Sequence, residues 1–127
     1  MIRHAEAENA AACDAERALT KKGREQAAKV GQFLKRYDLV PDLILASPLV
    51  RARQTAEIVS NGAAATSPTI ESWLACGMRP ATALKELCAY DQFQRVALVG
   101  HNPDFEYLAS SLLGSQCSGV HVRKASL

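Results

Sequence analysis

The chain lacks any apolar stretch long enough to cross a membrane. Its longest ones, such as residues 43–46 and 96–99, fall far short of the roughly 20 residues that span a bilayer. A strong excess of one charge is also missing, because 15 basic and 13 acidic residues are interspersed and give a net charge of +2. The overall charge therefore gives no reason to expect binding to nucleic acid or to a membrane surface. Any anion must be bound by a local group of side chains.

A cysteine pair of the C-x-x-C type and a secretory leader are missing as well. The four cysteines are widely spaced: Cys13, Cys76, Cys88 and Cys117. A domain of 127 residues buries roughly two-thirds of its unfolded surface and needs no disulfide bonds to fold. No sequence of charged, then apolar, then small residues stands at the N-terminus. We therefore expect reduced thiols and a cytoplasmic protein.

Short apolar runs alternate with amphipathic segments along the chain. The runs predict strands in four places: the residues before Arg3, residues 42–46, residues 69–71 and residues 95–100. Helices are predicted at residues 21–37, 47–60, 80–90 and 102–113. Thr20 is the expected N-cap of the first helix. Ser47 is the expected N-cap of the second, which Asn61-Gly62 is expected to end. This order predicts an α/β domain, a three-layer α/β/α sandwich around a mostly parallel sheet, with its ligand site at the carboxyl ends of the strands.

Histidine is scarce, yet two of the three histidines directly follow predicted strands. His4 stands after Arg3, His101 follows the run at 95–100, and Arg51 lies in the first turn of the helix after the second strand. Guanidinium groups match phosphate oxygens bidentately and helix N-termini add backbone donors, so this cluster suits a phosphate dianion. Two histidines beside two fixed cations are a poor metal site, because structural zinc needs four ligands and catalytic zinc three. We expect neither a metal nor a cofactor.

Three motifs carry a family resemblance: Ile-Arg-His-Ala-Glu-Ala at 2–7, Ser-Pro-Leu-Val-Arg-Ala-Arg-Gln-Thr-Ala at 47–56 and Val-Ala-Leu-Val-Gly-His-Asn-Pro at 96–103. In this order they resemble the histidine phosphatase superfamily, the phosphoglycerate mutase-like group. Their short spacing is similar to that of the bacterial phosphohistidine phosphatase branch, the SixA type. The resemblance implies the phosphoglycerate mutase-like fold and a metal-independent phosphatase that works through a phosphohistidine intermediate.

The resemblance also implies roles for single residues. The resemblance implies that His4 is the nucleophile and that Arg3 and Arg51 hold the transferring phosphoryl group. It also implies that His101 donates to the oxygens of this group. Attack requires a neutral nitrogen on His4, so we expect its other ring N–H to donate to the backbone and the surrounding cations to lower its pKa. His101 is expected to act as a cation once phosphate is bound. Arg53, on another side of the helix, is expected at the surface.

The substrate depends on the acid that protonates the leaving group. Family members commonly supply a carboxylate between the second arginine motif and the second histidine, and there Glu71 is the candidate general acid, with an ordinary solvent-facing strand end as the alternative. An imidazole leaving group needs less help from an acid than an alkoxide does, and the short segment forms no lid. A phosphorylated protein, such as a histidine phosphotransfer domain, is thus the expected partner. A small phosphomonoester with Glu71 as the acid remains the other hypothesis.

Two further hypotheses compete with this assignment. Cys117 and Arg123 have the C-x5-R spacing of cysteine-dependent phosphatases, but residues 120–122 alternate like a strand, which would direct the two side chains away from a shared loop. Alternatively, the pocket binds phosphate without turning it over. The single domain at 1–127 is shorter at both ends than members of the resembling family usually are, so we expect it to be truncated there.

Overall fold

Strands and helices alternate along the chain. The computed structural model describes residues 1–9, 12–114 and 120–126. Within them lie β1 (Ile2–Arg3), α1 (Lys21–Arg36), β2 (Leu43–Ala46), α2 (Val50–Ala63), β3 (Thr69–Ile70), α3 (Pro80–Leu87), β4 (Val96–Gly100) and α4 (Asp104–Leu112). Short 3-10 turns add Asp14–Glu16, Ser72–Leu74 and Cys88–Tyr90. Each strand and helix predicted before residue 114 is present, with ends that differ by at most three residues.

The four strands form one parallel sheet in the order β1-β4-β2-β3. Arg3 pairs with Gly100 and Ala46 pairs with Val99, so the carboxyl ends of β1, β4 and β2 lie side by side. The ladder continues beyond β1, because the amide of His4 donates to the carbonyl of Gly100 at 2.9 Å. The residues that follow these three strands therefore share one edge of the sheet.

Helices cover both faces of this sheet. α1 and α2 pack together on one face over small and branched side chains, whereas α3 and α4 pack on the other face around Phe105 and Leu108. Strands buried on both faces read as continuous apolar runs, which is why β2 is Leu-Ile-Leu-Ala. The predicted three-layer α/β/α sandwich is confirmed.

Three cysteines lie in the described ranges, and all are free thiols: Cys13, Cys76 and Cys88. This agrees with the reduced state expected from their spacing. Across the same ranges, no helix has both the length and the apolar character needed to cross a membrane.

α1 and α2 touch backbone to backbone at Gly31 and Gly62. A Cβ atom added to Gly31 would stand 2.6 Å from the carbonyl oxygen of Val59, and one added to Gly62 would stand 3.2 Å from the Cα of Gly31. The prediction that Asn61-Gly62 ends α2 is wrong, because Gly62 serves this helix contact. The helix runs one residue further, to Ala63, and its C-cap Ala64 adopts the left-handed conformation with φ of 56°.

Replacing Gly31 by alanine is expected to destabilise the domain. The added methyl group has no room between the helices, so the free energy of unfolding should fall by about 1–3 kcal/mol, the usual range for overpacking. Urea unfolding followed by circular dichroism measures the change. Gln32→Ala, on the exposed side of α1, is the matched control and should stay within about 0.5 kcal/mol. A Gly31→Ala variant as stable as the unmodified chain would contradict this contact.

The start of α2 also differs from the prediction. Thr20 caps α1 as expected, since its hydroxyl accepts from the amide of Gly23 at 3.0 Å. Ser47 does not cap α2, which begins at Val50 after an extended Leu49. The Ser47 hydroxyl accepts from the Leu49 amide at 3.3 Å and lies 2.7 Å from a ring nitrogen of His101, so it belongs to the edge of the sheet rather than to the helix.

The prediction of a strand at 120–122 is wrong, because residues 120–123 are irregular. Side chains satisfy the peptide groups of Val122: its carbonyl accepts from Arg3 at 3.1 Å and from Asn102 at 2.8 Å, and its amide donates to Glu106 at 3.1 Å. The segment 120–126 is therefore fastened to the residues that follow β1 and β4. Cys117, one half of the C-x5-R hypothesis, lies outside the described residues.

Candidate active site

A cavity of about 290 Å³ opens where β1, β2 and β4 end. Nitrogen-bearing side chains dominate its wall, and the described lining includes no carboxylate. The lining residues are Arg3, His4, Ala7, Asn9, Arg17, Arg51, Cys76, His101, Asn102 and Lys124. The structure thus brings together both histidines and both arginines that the sequence singled out.

His4 presents one ring nitrogen to this cavity and turns the other to the backbone. Its Nδ1 lies 2.8 Å from the carbonyl oxygen of Ala5. A carbonyl only accepts, so Nδ1 carries the proton and Nε2 keeps a free lone pair. Burial lowers the pKa of His4 to about 4, the Ala5 hydrogen bond opposes this, and repulsion from Arg51, Arg3 and Lys124 adds to it. The expected backbone bond is confirmed, but burial outweighs the cations as the cause of the low pKa.

His101 lies beside His4 in the floor of the cavity, with ring centroids 5.3 Å apart. Its Nε2 is 2.7 Å from the Ser47 hydroxyl, and its Nδ1 is buried with no partner among the described residues. Burial first, then Arg51 and His4, lower the pKa of His101 to about 3, although Asp14 acts in the opposite direction. In the free protein this ring is therefore neutral, rather than the cation expected with phosphate bound.

The two low pKa values make stability depend on pH. Folding lowers the pKa of both rings from 6.5, to about 4 for His4 and about 3 for His101. Below pH 6.5 the unfolded chain binds more protons than the folded protein, so the stability that these rings contribute is present above pH 6.5 and is lost as the pH falls towards 4. Urea unfolding at pH 7.5 and pH 5 measures the decline. The decline should be smaller in a His4→Asn variant, and an equal decline would contradict the assignment.

Arg51 is fixed before any ligand arrives. This residue in the first turn of α2 is 3% exposed, and its guanidinium donates to the backbone carbonyl of Asp14 at 2.8 Å and to the Asp14 carboxylate at 3.1 Å. The same group lies 3.6 Å from the sulfur of Cys76. Its buried Nε has no partner in the described part of the chain. An anion in the cavity therefore meets a cation whose orientation is already set, which lowers the ordering cost of binding.

Arg17 is a further cation of the cavity that the sequence analysis missed. Its Nε lies 2.9 Å from the Asp14 carboxylate, and its guanidinium donates to the carbonyl of Glu8 at 3.2 Å. Asp14 thus orients Arg17 and Arg51 together. Desolvation acts to raise the pKa of Asp14, but the two arginines hold it below its usual value. One signal could have found Arg17: it is the only basic residue in the loop of residues 5–19.

The segment 120–126 completes the wall on the side of β1. The amide of Ala125 donates to the carbonyl of Arg3 at 3.0 Å, and the Arg3 guanidinium donates to Val122. Lys124, between these two contacts, lines the cavity. The sequence analysis missed Lys124 because it interpreted the neighbouring residues 120–122 as a strand.

None of the described carboxylates lines the cavity. Glu71 does not line it, and its carboxylate instead accepts from the Tyr90 hydroxyl at 2.6 Å, a bond that raises the pKa of Tyr90. Arg53 is exposed, as predicted, and Arg123 does not reach the cavity. Among the residues that the structure describes, no group of three or more His, Cys, Asp or Glu side chains could hold a metal ion.

A parallel sheet that presents two histidines and three arginines at its carboxyl edge is suited to bind a phosphate dianion. Comparison with known proteins agrees. The family model described as histidine phosphatase superfamily (branch 1) matches residues 1–66, which include His4 and all three arginines of the site, Arg3, Arg17 and Arg51. An uncharacterized protein of Picosynechococcus sp. is 32% identical over 121 residues, which cover 90% of this chain and 71% of that protein. The chain belongs to the histidine phosphatase superfamily.

Solved structures share this fold. A protein from Agrobacterium tumefaciens described as the phosphohistidine phosphatase SixA superposes with a TM-score of 0.81 at 30% identity, covering 91% of this chain and 76% of that one. A protein histidine phosphatase SixA complexed with tungstate gives a TM-score of 0.85 at 26% identity, covering 97% of this chain and 80% of that one. The fold is phosphoglycerate mutase-like, and these relatives support phosphatase activity.

Proposed function

We propose that this protein is a phosphohistidine phosphatase that removes phosphate from a histidine of another protein. The observation that carries the proposal is the cationic cavity without a carboxylate among its described lining residues. Such a site stabilises a phosphoryl group in transfer but offers no acid for an alkoxide leaving group. An imidazole leaving group needs less help from an acid, since its second nitrogen can carry a proton before the bond breaks. Tungstate in the SixA relative, a tetrahedral oxyanion, supports the same use of the site.

In the proposed first step, Nε2 of His4 attacks phosphorus. A P–N bond forms on His4 while the P–N bond of the substrate breaks. The substrate ring enters protonated on its second nitrogen, so it takes the electron pair of the broken bond and leaves as a neutral imidazole. The carbonyl of Ala5 keeps the proton on Nδ1 at 2.8 Å, so the attacking lone pair stays available. A pKa of about 4 keeps Nε2 unprotonated at neutral pH.

In the second step, water attacks the phosphoryl group on His4. The water oxygen bonds to phosphorus, both water hydrogens leave with the phosphate, and the electron pair of the broken P–N bond returns to His4. Arg3, Arg51 and Arg17 offset the charge on the equatorial oxygens in both steps. A bound dianion raises the pKa of His101, whose unpartnered Nδ1 can then donate to an oxygen.

The substrate preference tests this proposal. In EDTA, kcat/KM for a histidine phosphotransfer domain phosphorylated on histidine should exceed that for a phosphoserine peptide by about 100-fold or more, the usual effect of a general acid. EDTA should leave the rate unchanged, because fixed arginines supply the positive charge. A preference for phosphoserine would favour the phosphomonoesterase hypothesis. Saturable phosphate binding without turnover of either substrate would indicate a phosphate-binding module.

Glu71→Gln should leave phosphohistidine turnover within about twofold of the unmodified chain. Glu71 does not line the cavity and instead accepts a hydrogen bond from Tyr90. Steady-state kinetics measures the effect, with Tyr90→Phe as the control that removes the same hydrogen bond and keeps the carboxylate. A large loss in Glu71→Gln alone would restore Glu71 as the general acid.

A further inference from the structure

We propose that one face of α1 docks the acidic surface of the protein that carries the phosphohistidine. We call this face the α1 strip and define it by Gln26, Lys29, Phe33, Arg36 and Tyr37. The proposal rests on the proposed function and deepens it, because it assigns a separate site to the part of the substrate that surrounds the phosphorylated residue.

The α1 strip begins at the wall of the active site. A groove of about 330 Å³ is lined by Gln26, Lys29, Val30, Phe33, Lys124 and Ala125. Lys124 also lines the active-site cavity, so one side chain separates the two. A second hollow of about 280 Å³ continues from Lys29 and Phe33 to Arg36 and Tyr37. A ligand with its phosphoryl group at His4 therefore reaches the strip by passing Lys124.

The length of the strip selects a macromolecule. Gln26 and Tyr37 are eleven positions apart in one helix and its cap. At 1.5 Å per residue this is roughly 16 Å, about three helical turns. A small phosphorylated metabolite bound at His4 would leave most of that surface uncovered, whereas a helix or surface of a protein would cover it.

The side chains of the strip combine exposed aromatic area with positive charge. Phe33 is 43% exposed and Tyr37 is 56% exposed, and their ring centroids lie 4.6 Å apart. The Arg36 guanidinium lies 5.7 Å from the centre of the Tyr37 ring. Exposed aromatic and arginine side chains are the ones enriched at protein interfaces.

The charge of the strip specifies the partner. Lys29 of the strip and the adjoining Lys124 are exposed, and in the described part of the chain neither forms an ion pair with a carboxylate. With a net charge of +2 for the whole chain, this concentration of cations is local. An acidic surface with an apolar side chain complements it, and such complementarity speeds association. A second copy of the chain would bring like charges together.

Two substrates of different size test the strip. The protein probe is a histidine phosphotransfer domain phosphorylated on histidine, and the small probe is phosphoramidate. A Lys29→Glu/Phe33→Ala variant should lower kcat/KM for the protein probe by about tenfold, as expected for the loss of charge steering and one apolar contact. For phosphoramidate, kcat/KM should stay within about twofold. Lys85→Glu, an exposed charge reversal on α3 across the sheet, is the matched control and should change neither value.

Binding separates failure of the strip from failure of the proposed function. In a His4→Ala background, the protein probe should bind about tenfold more weakly when Lys29→Glu/Phe33→Ala is added. If the double change weakens binding but the unmodified chain does not turn the probe over, the proposed function is overturned and the strip is supported. Three results would overturn the strip. In the first, the protein probe is turned over normally and the double change does not alter kcat/KM; in the second, kcat/KM falls equally for both probes. In the third, the protein probe does not bind to the His4→Ala variant. If sedimentation shows self-association and Phe33→Ala abolishes it, this face binds a second copy of the chain, and the strip as a substrate-docking site is overturned.

Discussion

An alanine at position 4 is expected to lower phosphohistidine turnover by at least about 10⁴-fold, the scale seen when a nucleophile is removed. His101, the other imidazole of the cavity, is not expected to take over. Its Nε2 faces the Ser47 hydroxyl at 2.7 Å, and its Nδ1 is proposed to carry a proton when phosphate is bound. The arginines remain, so phosphate binding should survive. Steady-state kinetics with phosphohistidine, together with calorimetry of phosphate binding, measures both effects.

The control for His4→Ala is the exposed His121, which does not line the cavity. His121→Ala should keep the rate within about twofold. Circular dichroism must show that His4→Ala remains folded, because the change leaves the Ala5 carbonyl without its ring partner. A folded His4→Ala variant with full turnover would contradict the nucleophile assignment.

An alanine at position 51 is expected to lower the rate by about 10²–10³-fold, the usual loss for one preorganised donor to a transition state. It should also weaken phosphate binding, because the buried guanidinium is fixed by two contacts to Asp14 and faces the cavity. Arg51→Lys should recover only part of the loss, since an ammonium group cannot match the planar fork. Kinetics and calorimetry measure these values.

Arg53 supplies the matched control for Arg51. It lies two residues further along α2, it carries the same charge, and it is exposed. Arg53→Ala should keep both the rate and phosphate binding within about twofold. If Arg53→Ala and Arg51→Ala had equal effects, the loss would reflect overall charge rather than a positioned donor, and the site as described would be wrong.

The architecture could be predicted from the sequence because local patterns fix it. The run before Ser47 reads as a buried strand, and the placement of His4 and His101 after strands needs only the rule that parallel strands end at one edge. Arg51 follows from its position in a first helical turn. These predictions depend on neighbours in sequence, and the structure confirms each of them.

The features that could not be predicted from the sequence depend on contacts between residues that are far apart along the chain. Gly62 reads as a helix stop, yet it is used for contact with Gly31 on another helix. Residues 120–122 have the pattern of a strand, yet hydrogen bonds from Arg3 and Asn102 hold this segment in an irregular conformation, and Lys124 in the same segment lines the cavity. The link of Glu71 to Tyr90 spans 19 positions, and spacing alone does not reveal it.

The most direct test of the central claim is to look for the phosphoryl group on His4. The unmodified chain is mixed in EDTA with a histidine phosphotransfer domain carrying labelled phosphate on histidine, quenched in base within milliseconds to seconds, and mapped by mass spectrometry. The account predicts transient, acid-labile label on His4 that decays as free phosphate appears. Phosphate release with no label on His4 at any time, or label on a cysteine or glutamate instead, would contradict it.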